Sequence, residues 1–223
     1  MTVVIPALDE AEALPGLIAE VREAARGMDL ELILVDDGSR DGTGEVMAKS
    51  GALVIRHGKP LGCHPSTLDG FRRATKDWVI FLPADGQVPP SVLTPLLEKA
   101  EKEGLDAVVG VRASRADPLI RRWISRTYSV LIRILLGVSC RDVDSSTLYR
   151  RERLQAVLPE LRSDSACLAV EILWRLLGKG GRVGELEIPH RPRTTGRAKG
   201  VNWKDALGVP RNLILLARLG RTC

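Results

Sequence analysis

The stretch Glu31-Leu32-Ile33-Leu34-Val35-Asp36-Asp37-Gly38-Ser39 decides the fold. Glu31–Val35 is an apolar run of strand length that stops abruptly at two carboxylates and a glycine, residues of turn chemistry. Upstream, Val3–Pro6 reads as a short buried strand, and Glu10–Arg26 places Leu14, Leu17, Ile18 and Val21 at helical spacing. Downstream, Ser39 or Asp41 caps a helix running to about Lys49. Strands follow at Leu53–Arg56, Trp78–Leu82 and Ala107–Val111, with helices near Ser66–Ala74 and Ser91–Glu103 between them. This alternation predicts an α/β fold, a mostly parallel sheet with helices on both faces. Ligands of such sheets lie beyond the carboxyl ends of the strands. Three polar clusters fall there: Pro6-Ala7-Leu8-Asp9-Glu10, Asp36-Asp37 and Asp85-Gly86-Gln87.

The second half differs. Pro118–Gly137 is helical in pattern, and residues 112–133 carry six arginines against one acid, Asp117. Arg122, Arg126 and Arg133 fall near one helical face. Leu168–Leu177 reads as a helix containing Glu171, and Arg182–Ile188 as a late strand. A final helix bears Leu207 and Leu213–Leu219. The expected organisation is a single domain over 1–205, with a basic helical segment at 112–137, and a C-terminal helix over 206–223.

The 223 residues, 44% hydrophobic and 27% charged, describe a folded globular chain. A net charge of +5 favours anionic partners such as nucleotides, phosphates or an anionic membrane. Aromatics at 4% argue against a stacking surface for nucleic acid. The four cysteines are scattered, with no CxxC pair, so they indicate neither a zinc site nor a disulfide framework. The amino-terminal residues lack a signal-peptide pattern, and no apolar run reaches membrane-spanning length. The expected location is cytoplasmic, peripheral at the cytosolic membrane face.

Together, Val4–Glu10, Val35–Thr43 and Ala84–Gln87 resemble glycosyltransferase family 2, in particular its dolichol-phosphate mannose synthase-like branch, which acts on polyprenyl phosphates. Gly110-Val111-Arg112, Asp142–Arg150, and Pro189–Arg193 with Gly196 and Lys199 extend the resemblance to about residue 200. It implies a GT-A nucleotide-binding sandwich, inversion at the anomeric carbon, and a short antiparallel element near the sheet edge.

The resemblance also implies a division of labour. Pro6, Ala7, Glu10, Val35, Asp37 and Ala84 would line the donor nucleotide, with Asp36 available to hold the loop. Asp85 and Gln87 would hold Mg²⁺ or Mn²⁺, since hard oxygen ligands suit both ions. Arg193 and Lys199 would reach the donor diphosphate. Arg112 and Arg126, with Arg191, would bind the acceptor phosphate; Asp85, Arg112 and Arg126 form the implied catalytic set. The sequence departs from the family in three places. Pro83-Ala84-Asp85 replaces the commoner Asp-x-Asp. His64-Pro65 interrupts a glycine- and alanine-rich stretch. Asp144-Ser145-Ser146-Thr147 replaces a small residue, glycine and an aromatic.

The leading expectation is an inverting transfer from a GDP- or UDP-linked sugar to a polyprenyl (dolichyl or undecaprenyl) phosphate. A phosphate acceptor is already ionised and needs no general base. A hydroxyl acceptor would need one, and only Asp142 and Asp144 lie in the right neighbourhood. A soluble transferase for hydroxyl acceptors and a non-catalytic nucleotide binder of the same fold are the alternatives.

Overall fold

The computed structural model describes residues 1–113, 130–162, 167–192 and 211–218. Among them, seven strands form one sheet in the order β3-β2-β1-β4-β6-β5-β7. The strands are β1 (Thr2–Ala7), β2 (Glu31–Asp36), β3 (Leu53–Arg56), β4 (Trp78–Phe81), β5 (Ala107–Arg112), β6 (Thr147–Arg150) and β7 (Val183–Ile188). All neighbouring pairs are parallel except those made by β6, which runs antiparallel to both β4 and β5.

The helices are α1 (Leu14–Ala24), α2 (Thr43–Lys49), α3 (Cys63–Arg73) and α4 (Leu93–Glu103), then α5 containing residues 130–136. They continue with α6 (Arg151–Val157), α7 (Leu168–Gly178) and α8 containing residues 211–218. Alternate residues of each strand feed opposite layers, as strand geometry requires. Val3, Ile5, Leu32, Leu34 and Ile80 meet Leu17, Val21, Leu93 and Leu96 of α1 and α4. Val4, Ile33, Val35 and Val79 face the other side, against Phe71, Leu154, Leu173 and the inner faces of α5 and α8. This is the expected α/β sandwich.

Three boundaries shift for local reasons. Helix α1 begins at Leu14 rather than Glu10, with Pro15 in its first turn where a missing N–H costs nothing. The preceding residues are drawn into a loop: Glu10 N–H donates to Thr43 Oγ1 and Ala11 N–H to Asp41 Oδ2. Helix α3 starts at Cys63, three residues before Ser66, again with a proline in its first turn. At α2 the capping carboxylate is Asp41, whose Oδ1 accepts from Thr43 N–H and Thr43 Oγ1–H, while Ser39 accepts from Asp9 N–H.

The antiparallel element corrects an expectation. Strand β6 is not near an edge but lies inside the sheet between β4 and β5; the edges are β3 and β7. Thr147, Leu148 and Tyr149 are all buried. Leu148 enters the α1–α4 core and Tyr149 the opposite one, where its ring meets Phe71 edge-on at 5.8 Å between centroids.

Candidate active site

Strand order reverses at β1. Strands β2 and β3 lie on one side of it and β4 on the other, so the crevice beyond β1 and β4 is a topological switch point, the usual ligand site of an open parallel sheet. The Pro6–Glu10 and Pro83–Gln87 loops flank it. Because β6 is antiparallel to β4 and to β5, the carboxyl end of β5, with Arg112, emerges on the same edge. So does the amino end of β6, preceded by Asp142 and Asp144. The three predicted acidic clusters and Arg112 are thus brought to one rim.

The rim is built by cross-loop hydrogen bonds. Asp9 adopts φ +50, a left-handed conformation uncommon for a residue with a Cβ, and its Oδ1 accepts from Arg40 N–H at 2.8 Å. Asp37 N–H donates to Ala7 O. Gly38, at φ +79, leaves no room for a Cβ, which would stand 2.9 Å from the Lys59 carbonyl carbon. The Lys59–Pro60 backbone therefore lies directly on the Asp36-Asp37-Gly38 turn.

The two aspartates divide their roles. Asp36 is fully buried; its Oδ1 accepts from Ser39 N–H and its Oδ2 pairs with Arg56 Nε at 3.0 Å. It holds the loop. Asp37 accepts from Leu61 N–H and Gly62 N–H, each at 2.8 Å, and contacts His57 Nδ1 at 2.9 Å. Burial opposes ionisation of Asp37, but these hydrogen bonds outweigh it and hold the carboxyl below the usual range. A carboxylate offers about four lone pairs, so Asp37 spends most of its acceptor capacity on protein groups.

Among the other predicted donor residues, Val35, Ala7 and Ala84 have their side chains in the cores. They can meet a ligand only through the main chain. Pro6 is likewise buried, and Glu10 is only 9% exposed beside the α2 terminus. Asp85 Oδ1 accepts from Gln87 N–H at 3.1 Å across Gly86, whose φ is +68. Gln87 O accepts from Arg191 N–H, so the segment after β7 lies on the Asp85 loop. The Arg191 guanidinium extends to Glu20 of α1 at 2.9 Å.

Arg112 makes a two-point contact with Asp142, Nε to Oδ2 and Nη2 to Oδ1, each at 2.7 Å. Asp142 is 5% exposed and thereby fixes the guanidinium at the rim. Cys63 and His64, at the start of α3, line a small cavity with Phe81, Asp144, Ser145 and Leu168. Loss of hydration pushes the Cys63 thiol up to about 11; a bond with Thr67 opposes this, and the nearby Asp37 and Asp85 charges add to it. Arg126, Arg193 and Lys199 lie outside the described residues.

Sequence reasoning missed His57 and its partner Asp69, on α3. The signal was a histidine immediately after an apolar strand, but only the fold shows which carboxylates face it.

A seven-stranded, mostly parallel sheet with acidic loops at its switch point defines an α/β protein of GT-A type. The chain belongs to glycosyl transferase family 2, whose model matches residues 2–170. It is 34% identical over 207 residues to an undecaprenyl-phosphate 4-deoxy-4-formamido-L-arabinose transferase of Pectobacterium atrosepticum, covering 89% of this chain and 62% of that protein. The corresponding transferase of Pseudomonas aeruginosa is 32% identical over 210 residues, 89% of this chain and 60% of that one. The chain thus spans about three fifths of the length of these curated relatives. Solved structures share the fold at lower identity. Mannosyl-3-phosphoglycerate synthase of Rubrobacter xylanophilus superposes with a TM-score of 0.76 at 18% identity, covering 99% of this chain and 75% of that one. Glucosyl-3-phosphoglycerate synthase of Mycobacterium tuberculosis, solved with Mn²⁺, UDP and its product, gives 0.70 at 21%, covering 98% and 79%.

Proposed function

We propose that this chain transfers a sugar, with inversion, from a nucleoside-diphosphate sugar to a polyprenyl phosphate at a membrane surface. The observation carrying this reading is the gathering of Asp37, the Asp85–Gln87 loop and the Asp142-held Arg112 on one rim. The two curated relatives described above act, by their names, on undecaprenyl phosphate, and a structural neighbour was solved with UDP and Mn²⁺.

In this reading the nucleotide lies across the switch point between the Pro6–Glu10 loop and the Asp36–Ser39 turn. Asp85 and Gln87 fit a hard divalent cation in ligand chemistry. Among the described residues no cluster of three or more acidic, histidine or cysteine side chains gathers to hold a metal. Asp85 and Gln87 would hold Mg²⁺ or Mn²⁺ together with the donor diphosphate. Bound there, the ion supplies Lewis-acid stabilisation of the departing diphosphate. Arg112 orients the attacking phosphate, a role the family resemblance also gives to Arg126 and Arg191, the latter leaving Glu20 to do so, while Arg193 and Lys199 neutralise the diphosphate.

The bilayer would meet α5 and α8. Their inner residues Ile132, Leu136, Leu213 and Leu216 are buried in one core, while Ile134 is 73% exposed and Val130, Leu131, Leu135, Ile214 and Leu215 are exposed with it. Apolar residues beside the basic 112–133 segment suit a surface-lying contact with anionic lipid. Among the described residues no helix is long and apolar enough to cross a membrane.

The test is incorporation of labelled sugar into undecaprenyl phosphate in vesicles, across UDP- and GDP-linked donors with Mn²⁺ or Mg²⁺. Lipid product that depends on the cation and disappears in Asp85→Ala is expected. No lipid product with any donor refutes the reading.

A further inference from the structure

We propose that His57 is a positioning residue of the donor site, setting the Asp37 carboxylate and the loop over it; the proposal rests on the nucleotide-binding reading above. His57 directly follows β3, and its backbone N–H donates to Asp36 O, pinning its Cα beside the Asp36-Asp37 turn. The side chain is 9% exposed. Its imidazole lies between two carboxylates: Nδ1 is 2.9 Å from Asp37 Oδ1, and Nε2 is 3.2 Å from Asp69 Oδ2. The Asp69 contact lacks hydrogen-bond alignment and acts as an electrostatic one. Asp69, on α3, also pairs with Arg72 at 2.8 Å.

The imidazole thus ties β3 to α3 on either side of the residue 58–62 connection. Asp37 completes the closure by accepting the two amide N–H groups of that connection, Leu61 and Gly62. Ser66 Oγ–H adds a bond to Gly62 O from within α3. One residue, Asp37, therefore serves the donor turn and the loop together; the Leu61 and Gly62 bonds come from the main chain, while His57, with Ser66 beside it, supplies a side chain that can be changed.

The groove lined by Gly38, Ser39, Arg40, Arg56, His57 and Gly58 lies against this arrangement, at the carboxyl ends of β2 and β3. A nucleobase and ribose seated there would meet a surface whose shape depends on the loop being closed. A nucleotide in the groove would meet the turn and the loop that Asp37 holds; His57, in the groove wall, acts by setting them. Its loss should weaken donor binding without touching the reacting atoms.

Three variants test this: His57→Ala, His57→Asn, whose amide can replace Nδ1, and Asp69→Asn. UDP and GDP are titrated calorimetrically with Mn²⁺, and donor KM and kcat are measured in the lipid assay. His57→Ala is expected to weaken nucleotide binding and raise donor KM about tenfold or more, the worth of one charge-assisted hydrogen bond, with kcat within about twofold. His57→Asn should restore most of the affinity, and Asp69→Asn should fall between. A merely structural role would lower Tm in all three and leave KM unchanged. Unchanged KM and affinity in a folded His57→Ala overturn the proposal, as does a fall confined to kcat. If the unmodified protein binds neither UDP nor GDP, the nucleotide-binding reading itself fails.

Discussion

Replacing Asp37 by asparagine tests the rim directly. The carboxylate accepts on Oδ1 from Leu61 N–H and His57, and on Oδ2 from Gly62 N–H. An amide keeps one oxygen. Whichever way it turns, its NH2 faces a donor: Gly62 N–H in one orientation, Leu61 N–H and His57 in the other. The group is nearly enclosed, with 4% of its side chain exposed, so water cannot easily replace the lost acceptor. One stranded N–H costs about 1–3 kcal/mol, and losing the charge from the remaining bonds adds about 1 kcal/mol, giving about 2–4 kcal/mol. In a domain of this length 1 kcal/mol shifts Tm by about 2–4 °C, so Asp37→Asn should melt roughly 4–16 °C lower at pH 7. The pH dependence carries the sign. The folded-state pKa of Asp37 is lowered, so its contribution is complete above the unfolded value of about 3.9 and is lost as pH falls through the folded value. The Tm difference between the two proteins should hold constant from pH 7 to about pH 5 and shrink below pH 4. Melting curves by circular dichroism across pH 3–8 supply the assay. A difference under 1 °C at pH 7, or one that stays constant into acid, would refute the assigned hydrogen bonds.

Further outcomes can be checked one by one. Gly110→Ala places a Cβ 2.6 Å from Ile188 Cδ1 and 2.8 Å from Ser146 O, between β6 and β7, and should cost about 1–3 kcal/mol in chemical denaturation. Asp142→Ala leaves Arg112 without its two-point partner; lipid product should fall while calorimetric UDP or GDP affinity stays within about twofold, since Arg112 is assigned to the acceptor. Iodoacetamide labelling of Cys63, followed by peptide mass, should keep accelerating past pH 9 because loss of hydration pushes its thiol up to about 11, and Mn²⁺ with the bound nucleotide should slow it. Ile134→Glu with Leu135→Glu should reduce sedimentation with anionic vesicles while leaving nucleotide binding unchanged, because both side chains are exposed.

The sequence by itself determined the α/β alternation, because buried strands such as Glu31–Asp36 and helices such as Leu93–Glu103 announce themselves through periodicities of two and 3.6. It also marked the acidic loops, since carboxylates and glycines directly after apolar runs are a local pattern. The strand Thr147–Arg150 escaped the reading, and its place inside the sheet follows from pairing with β4 and β5, distant in sequence. Asp36 and Asp37 are adjacent and chemically identical, yet tertiary structure gave one to Arg56 and Ser39 and the other to His57, Leu61 and Gly62. Which face of β2 each carboxylate leaves from, and what approaches it, is set by the sheet's neighbours. In the same way only the folded chain brought Asp142 to Arg112, 30 residues apart, and set His57 between Asp37 and Asp69. Residue type and order marked where the candidate site lies; long-range packing decided which side chains face it.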